Sequence, residues 1–223
     1  DAMNELPSDP DSGADDAMDG PAIVLAASQV AASASARGRG VLVVMADSIH
    51  TAAGVIKVHA ESYDSFASPQ CGPIGTVDRG NVIFFTRPTR PSLPSFKGDA
   101  IVPSVELIKA VAGADGNYVK SCVAAGVKGL VIEGMGRGNV TPGMAKALTE
   151  NSNNVPIVIT TRCAQGRAAP MYGYDGGGAT LKESGVIFAD QLPGPKARLL
   201  LMLLLGAGAG REEIKAAFEQ DRY

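Results

Sequence analysis

The sequence predicts an α/β protein, and three observations lead to that prediction. Apolar residues make up 45% of the 223 residues, which is ample for a packed core. In the second half, short apolar segments alternate with helix-length segments. Glycine accounts for 27 residues and clusters directly after the predicted strands, where the loops of an α/β protein lie. This alternation predicts a small parallel sheet covered by helices.

The first half has fewer predicted elements. An Ala-rich segment without a helix breaker, residues 22–36, predicts a helix that ends at Gly38. Residues 41–46 form an apolar run that predicts a buried strand, and the alternating residues 54–60 predict a second strand. Residues 74–86 predict a β-hairpin, because two apolar runs flank the turn sequence Asp78-Arg-Gly-Asn81.

The second half carries the strand–helix–strand pattern. Its predicted strands are residues 105–111, 129–133, 155–160 and 186–188. Its predicted helices are residues 117–125, 142–150, 194–205 and 211–220. Residues 162–178 are predicted as a loop, with Gly176-Gly-Gly178 as its most flexible point.

Composition divides the chain into four segments. Residues 1–18 are rich in acidic residues and contain proline and glycine, which predicts a poorly ordered lead-in. Residues 19–86 form the first predicted domain. Residues 87–102 contain several prolines without periodicity and predict an extended linker. Residues 103–223 form the predicted C-terminal α/β domain.

Charge and composition exclude several classes of function. Twenty basic residues against 23 acidic ones give a net charge of −3, which gives no basis for nucleic-acid binding. The apolar run Leu199–Leu205 is far shorter than the roughly 20 residues of a membrane span. Three cysteines fit no zinc or redox spacing and are predicted to be small buried residues, and two histidines are too few for a histidine-based metal site. We therefore predict no metal, no cofactor, no nucleic-acid partner and no membrane partner.

Lys57 is the first candidate for chemistry. Its predicted strand places Val55, Lys57 and His59 on one face and Ile56 and Val58 on the other. A strand lysine either faces water or is held opposite a carboxylate, where it can act as a base or proton carrier. Spacing alone favours the solvated lysine.

Several motifs occur in an order that resembles the bacterial L-asparaginase family, the threonine-dependent asparaginase/glutaminases. No single motif is highly specific, but their order and spacing together are, over about 200 of the 223 residues. The motifs are Asp19-Gly-Pro21, Arg39-Gly-Val-Leu-Val-Val-Met45 with Asp47, Val55-x-Lys57, Phe66, Ser68-Pro69, Cys71-Gly-Pro-Ile-Gly75, Gly113-Ala-Asp-Gly116, Gly138-Asn139 and Pro195-Lys-Ala-Arg-Leu-Leu200.

This resemblance implies both a fold and an activity. The implied fold is α/β, with the remnant of an N-terminal α/β domain joined by a linker to a small flavodoxin-like, parallel-sheet C-terminal domain. The implied activity is hydrolysis of L-asparagine to L-aspartate and ammonia by an amidohydrolase that forms homodimers or homotetramers. We expect a cytoplasmic location and leave a periplasmic or secreted location open.

The resemblance also implies roles for three residues. Lys57 matches a lysine that, with an aspartate, activates a threonine hydroxyl to attack the side-chain amide of the substrate. Asn139 matches a loop asparagine that reaches into a neighbouring subunit's pocket and helps to position substrate; a plain loop residue is the alternative. The family holds the substrate's amino group with an acidic loop residue. Asp175 is the carboxylate in the corresponding loop of this chain. The alternative is that Asp175 is only a solvated turn residue.

The chain departs from the family pattern at several points. It contains neither the T-G-G-T motif of the nucleophilic threonine nor the H-G-T-D-T motif of the second threonine and its aspartate. Since both motifs belong to the family's N-terminal third, we expect this third to be missing and the chain alone to be a poor enzyme. Ile56 and Val58 stand where the family has threonines, Ile23 replaces an asparagine, and Met45-Ala-Asp47 replaces M-N-D.

Two other functions remain open from the sequence. The replaced polar residues fit a catalytically inactive, truncated paralogue that acts as an oligomerising or binding module. The loop Gly134-Met-Gly-Arg-Gly-Asn139 follows a predicted strand and precedes a helix, so its backbone amides are placed to cradle a phosphate. Its spacing is not the G-x-G-x-x-G of dinucleotide-binding loops, which favours the amidohydrolase interpretation.

Overall fold

The computed structural model describes the backbone of residues 12–88 and 101–219, and the side chains of residues 20–88 and 101–219. The chain divides into two compact units, Asp1–Arg90 and Pro91–Tyr223. Most of the predicted lead-in, residues 1–18, and of the predicted linker, residues 87–102, lies outside the described residues. Residues 12–18 of the lead-in are described and belong to a helix.

The first unit packs one long helix on an antiparallel sheet. Helix α1 spans Ser12–Ala32, and a 3-10 helix follows at Ala34–Ala36. The strands are β1 (Leu42–Met45), β2 (Ser48–Thr51), β3 (Ile56–Lys57), β4 (Phe66–Ala67), β5 (Gly75–Asp78) and β6 (Asn81–Phe84). Strands β1 and β2 form one hairpin, β5 and β6 form another, and the sheet order is β1-β2-β5-β6. Strands β3 and β4 form a separate antiparallel ribbon.

The core of the first unit lies between α1 and one face of this sheet. Ala26 and Val30, which are four residues apart on the helix, pack against a set of sheet-side apolar residues: Val44, Ile49, Ile74 and Val77. Val41, by contrast, is 74% exposed. The expectation of a buried strand at 41–46 is therefore correct only for the face that packs against α1. Among the described residues, the other face of the sheet is not covered.

The second unit is built on a parallel sheet. Its strands are β7 (Val105–Lys109), β8 (Gly129–Gly134), β9 (Ile157–Thr161) and β10 (Ile187–Phe188), all parallel, in the order β10-β9-β8-β7. The helices are α2 (Asn117–Ala124), α3 (Pro142–Asn151), α4 (Gly178–Glu183), α5 (Gly194–Gly206) and α6 (Arg211–Phe218). The predicted α/β class and parallel sheet are confirmed. These four strands follow chain order, without the order reversal of a flavodoxin sheet.

Helices cover both faces of the parallel sheet. Successive strand residues point to opposite sides, so each strand offers apolar residues to the helices on both faces. One face packs against residues of α2, α3 and α4 through Leu130, Ile132, Ile157 and Ile159. The other face packs against residues of α5 and α6 through Val131, Val158 and Ile187. The strands are accordingly apolar on both sides, as expected of a buried parallel sheet.

Three elements of the fold were not predicted. Strand β4 has only the two residues Phe66 and Ala67, too few to give a periodicity signal. Strand β2 follows a turn made of Ala46 and Asp47, which contains no glycine, so the sequence gives no hairpin signal there. Helix α4 has six residues and begins with glycine, which has low helix propensity. The predicted strand 54–60 is reduced to the two residues of β3, and the predicted helix 22–36 begins earlier and ends at Ala32.

The segment Gly176-Gly-Gly178 is not the flexible point that we predicted. All three glycines are buried. A Cβ on Gly176 would collide with the carbonyl oxygen of Val140, and one on Gly177 would collide with that of Tyr172. Glycine is required here because neighbouring backbones approach too closely for a side chain, rather than for mobility.

Candidate active site

Lys57 lies on the β3–β4 ribbon of the first unit. It pairs across the ribbon with Phe66, and its Nζ atom lies 5.4 Å from the centre of the Phe66 ring. The side chain is exposed. Among the described residues its ammonium group forms no ion pair with a carboxylate. The Lys57 ammonium group therefore lies in solvent over the Phe66 ring, and the face of an aromatic ring attracts a cation.

The ribbon is short because the chain turns immediately after Lys57. The backbone amides of Val58 and His59 both donate to the carbonyl oxygen of Ser65, at 2.7 and 3.4 Å. His59 Nδ1 then accepts from the amides of Glu61 and Ser62, at 3.1 and 2.9 Å. His59 thus closes a turn, and the expected shared face of Val55, Lys57 and His59 is not formed by a continuous strand.

The residues on either side of Lys57 in the chain are apolar. Val58 is 49% exposed, and Ile56 is half-buried in the ribbon. The family pattern has threonines at these two positions, whose hydroxyls would add hydrogen-bonding groups beside the ammonium. In this chain Lys57 lacks that support from its immediate neighbours.

A buried histidine that the sequence reasoning missed supports the ribbon. His50, on β2, is 2% exposed, and its Nδ1 atom lies 2.9 Å from the hydroxyl oxygen of Ser68, just after β4. Burial lowers the pKa of His50, and the nearby Asp64 carboxylate partly opposes this shift. The only sequence signal for His50 came from its two neighbours. Ile49 and Thr51 are β-branched, which fits a strand.

Asn139 lies in a loop that folds back on itself after β8. The amides of Gly138 and Asn139 both donate to the carbonyl oxygen of Met135, and the Met135 amide donates to that of Asn139 at 2.7 Å. A Cβ on Gly134 would lie 2.6 Å from the Cα atom of Gly138, so the two glycines permit this closure. These amides are satisfied within the loop, which disfavours the phosphate-binding alternative.

The side chain of Asn139 reaches the loop that contains Asp175. Its Oδ1 atom accepts a hydrogen bond of 3.2 Å from the amide of Gly178, the first residue of α4. The amide of Val140 also donates to the carbonyl oxygen of Gly176 at 3.0 Å. The structure therefore brings the Asn139 loop and the Asp175 loop into contact.

Asp175 itself is an exposed turn residue. It follows Tyr174, whose ring lies 5.8 Å from that of Tyr172, and both tyrosines are exposed. Since Gly176 to Gly178 are fixed by close backbone packing, the turn holds Asp175 at a defined place beside the Asn139 loop.

Further polar groups stand at the carboxyl ends of the parallel strands. Glu133, near the end of β8, pairs with Lys109 of β7 at 3.4 Å. The hydroxyl of Thr161, at the end of β9, donates to the carbonyl oxygen of Gly136 at 2.6 Å. The Thr161 contact fastens the Asn139 loop to the carboxyl end of β9.

Other site types find little support in the described residues. No three His, Cys, Asp or Glu side chains lie close enough there to hold a metal ion. Cys71 and Cys163 are exposed and only Cys122 is buried, so the expectation of three buried cysteines is wrong for two of them. Within residues 12–88 and 101–219, no helix combines the length and apolar character that crossing a bilayer requires.

Lys57 belongs to the first unit, whereas Asn139 and Asp175 belong to the second. Both units match models of one family. The model "Asparaginase, N-terminal" matches residues 13–90, and the model "Glutaminase/Asparaginase C-terminal domain" matches residues 104–218. All three residues therefore lie within matched regions.

Individual relatives and a solved structure agree with the family models. A probable L-asparaginase of Deinococcus radiodurans is 40% identical over 206 residues, which cover 91% of this chain and 62% of the relative. One component of the glutamyl-tRNA(Gln) amidotransferase of Methanosarcina acetivorans is 31% identical over 179 residues, 78% of this chain and 41% of that protein. The crystal structure of a probable cytoplasmic L-asparaginase from Campylobacter jejuni superposes with a TM-score of 0.80 at 27% identity, covering 92% of this chain and 64% of that one.

The chain spans less than two thirds of the length of each of these relatives. The similarity nevertheless extends through both compact units, and the two family models occur in the expected order. The chain belongs to the glutaminase/asparaginase family.

Proposed function

We propose that this chain contributes to an amidohydrolase that converts L-asparagine to L-aspartate and ammonia. The observation that carries the proposal is the family match through both units, which includes Lys57, Asn139 and Asp175. The 40% identity to a probable L-asparaginase supports asparagine as the substrate. The amidotransferase relative supports amide chemistry in a broader sense, so glutamine is the second substrate to test.

Lys57 would supply the positive charge of the catalytic machinery. In the proposed reaction a threonine hydroxyl attacks the side-chain amide, the amide nitrogen leaves as ammonia, and water releases L-aspartate from the acyl intermediate. The carboxylate paired with the lysine can accept the proton that the hydroxyl gives up and return it to the leaving amide nitrogen, while the ammonium charge stabilises the pair. Its exposure on the Phe66 ring leaves Lys57 available to such a carboxylate.

Asn139 and Asp175 would bind the amino-acid part of the substrate. A carboxylate at Asp175 complements the substrate's ammonium group. Because Asn139 Oδ1 is engaged by the Gly178 amide, its Nδ2 group is the part of the side chain available as a donor to the substrate. Each residue thus offers the charge or hydrogen-bonding group that its proposed role requires.

We also propose an oligomeric state and a cellular location for the protein. The family role of Asn139 is exercised in a neighbouring subunit's pocket, so we propose a homodimer or homotetramer. The name of the Campylobacter jejuni protein supports a cytoplasmic location. Analytical ultracentrifugation tests the assembly, and a sedimentation coefficient that corresponds to a monomer at micromolar concentration would contradict it.

Activity of these 223 residues alone is expected to be low, because they contain neither threonine motif. The test measures ammonia release from L-asparagine by the chain alone and by the chain fused to a family segment that carries both motifs. We expect activity only in the fusion, and at least a roughly 100-fold loss on Lys57→Ala, within the range for loss of a proton-transfer group. An unchanged rate in the Lys57→Ala fusion would refute the proposed role of Lys57.

An inactive binding module is the second candidate. The observations that favour it are the apolar neighbours of Lys57 and the lack of an ion-pair partner for Lys57 among the described residues. Titration calorimetry of the fusion with L-aspartate and L-asparagine separates the candidates. Binding of neither ligand, together with no ammonia release, would support the inactive module.

A further inference from the structure

The β3–β4 ribbon that carries Lys57 is joined to the four-stranded sheet by a buried side-chain hydrogen bond. His50 belongs to β2 of that sheet, and Ser68 directly follows β4 of the ribbon. Their Nδ1 and Oγ atoms are 2.9 Å apart, and the two residues are 2% and 4% exposed. A hydrogen bond shielded from water in this way resists competition by solvent.

A short and continuous path leads from this bond to the ammonium group. Ser68 is the residue after Ala67, and Ala67 and Phe66 pair with Ile56 and Lys57. The Phe66 ring then lies 5.4 Å from Lys57 Nζ. A displacement of Ser68 would therefore move the strand that provides the platform for Lys57.

The surroundings leave the His50–Ser68 pair little freedom. A Cβ on Gly54, in the turn that enters β3, would lie 3.5 Å from Ser68 Oγ and 3.0 Å from Thr51 Oγ1. The amide of Gly54 also donates to Thr51 Oγ1 at 3.1 Å. His50 Nε2 is buried without a hydrogen-bond partner among the described residues, so Nδ1 is the atom through which the imidazole acts.

We propose that His50 is a positioning residue for Lys57, acting through the hydroxyl of Ser68 and the β4 strand. The inference rests on the proposed function, because only an amidohydrolase role gives the placement of the Lys57 ammonium a purpose. His50 does not contact the reacting groups. It fixes the ribbon so that Lys57 is held at one place over Phe66.

The test observes Lys57 directly in the full chain by NMR. Reductive methylation with 13C-formaldehyde labels each lysine, and the Lys57→Arg variant identifies the Lys57 signal. We expect this signal to be displaced by the Phe66 ring current and to lose that displacement in Phe66→Leu. In His50→Ala and in Ser68→Ala we expect at least half of the displacement to disappear, since the platform is no longer held.

Rescue and a matched control separate positioning from general stability. Asparagine can place a hydrogen-bonding atom where Nδ1 lies, so His50→Asn should restore most of the displacement. Ser152 is as buried as Ser68, at 1% exposure, and its hydroxyl donates to the Thr149 carbonyl in the second unit at 3.0 Å. Ser152→Ala should leave the Lys57 signal in place.

The outcomes are decisive in either direction. An unchanged Lys57 signal in folded Ser68→Ala or His50→Ala would overturn the proposal, as would a failure of His50→Asn to rescue. If His50→Ala does not fold, Ser68→Ala, which removes one oxygen atom, decides alone. Because the readout is the environment of Lys57 and not ammonia release, loss of the proposed function would leave this result interpretable.

Discussion

Ala46 and Asp47 connect β1 to β2 with positive φ angles of 43° and 59°. This left-handed conformation is costly for alanine and easy for glycine or asparagine. The family pattern has asparagine at this position. The departure Met45-Ala-Asp47, which we took from the sequence as a lost polar group, therefore lies in a hairpin turn and affects backbone strain.

We predict that Ala46→Gly raises the free energy of unfolding of the first unit by about 0.5–1 kcal/mol, because it relieves this strain. Urea denaturation followed by NMR signals of the first unit measures the change. Ala125→Gly is the matched control, since Ala125 has φ −74° and should gain nothing from glycine. A lower urea midpoint for Ala46→Gly would contradict the prediction.

His50 makes the stability of the first unit dependent on pH. Burial lowers its pKa from the usual 6.5, and Asp64 opposes this only in part. Between pH 6.5 and the folded-state pKa, His50 binds a proton in the unfolded chain but not in the folded chain. The free energy of unfolding therefore falls as the pH falls through this range. One proton contributes at most about 1.4 kcal/mol per pH unit.

We predict that His50→Gln flattens this dependence between about pH 6.5 and pH 5, the range below the unfolded-state pKa of histidine. The measurement is the free energy of unfolding in urea at several pH values in that range. The variant can be less stable than the parent at neutral pH, because it loses the fitted imidazole, but its slope should be smaller. Equal slopes in parent and variant would show that His50 is not the responsible group.

At the scale of elements, Asn139 joins two loops of the second unit. Its Oδ1 atom satisfies the amide of Gly178, one of the amides at the start of a helix that have no partner within the helix. Asn139 therefore has a structural role whether or not it also binds substrate. A simple alanine substitution would mix the two roles.

We predict that Asn139→Ala lowers the free energy of unfolding of the second unit by about 1 kcal/mol, the usual cost of losing a helix-capping acceptor. Asn139→Asp keeps an acceptor oxygen beside the helix N-terminus and should unfold within about 0.5 kcal/mol of the parent. Thermal unfolding measures both variants. If Asn139→Ala is as stable as the parent, the bond to Gly178 contributes nothing. Asn139→Asp is the variant to use for activity, because it removes the Nδ2 donor and retains the fold.

At the scale of the whole molecule, the two units differ in how well they are packed. The second unit has apolar clusters on both faces of its sheet, with fully buried residues such as Leu148 and Leu201. The first unit has a single small cluster between α1 and one face of its sheet among the residues that the structure describes. Burial of apolar surface dominates folding free energy, so the second unit holds most of the stability.

We predict that residues 101–223 fold alone and that residues 1–90 do not. The isolated second unit should show a cooperative thermal transition by circular dichroism, together with dispersed NMR signals. Residues 1–90 should show neither. A non-cooperative melt of residues 101–223 would contradict the prediction.

The sequence by itself determined the parallel sheet with its covering helices and the hairpin of β5 and β6. It also placed the starts of α2, α3, α5 and α6 correctly. These features depend on periodicity, turn residues and caps, which act over a few neighbouring residues. The family motifs similarly pointed to Lys57, Asn139 and Asp175.

Only the tertiary structure decided what these residues contact. The bond from Gly178 to Asn139 joins residues 39 positions apart, and that between His50 and Ser68 joins residues 18 apart. The burial of Gly176 to Gly178 likewise depends on which backbones meet after folding. Such contacts have no local signature, because their energy comes from groups that the fold alone brings together.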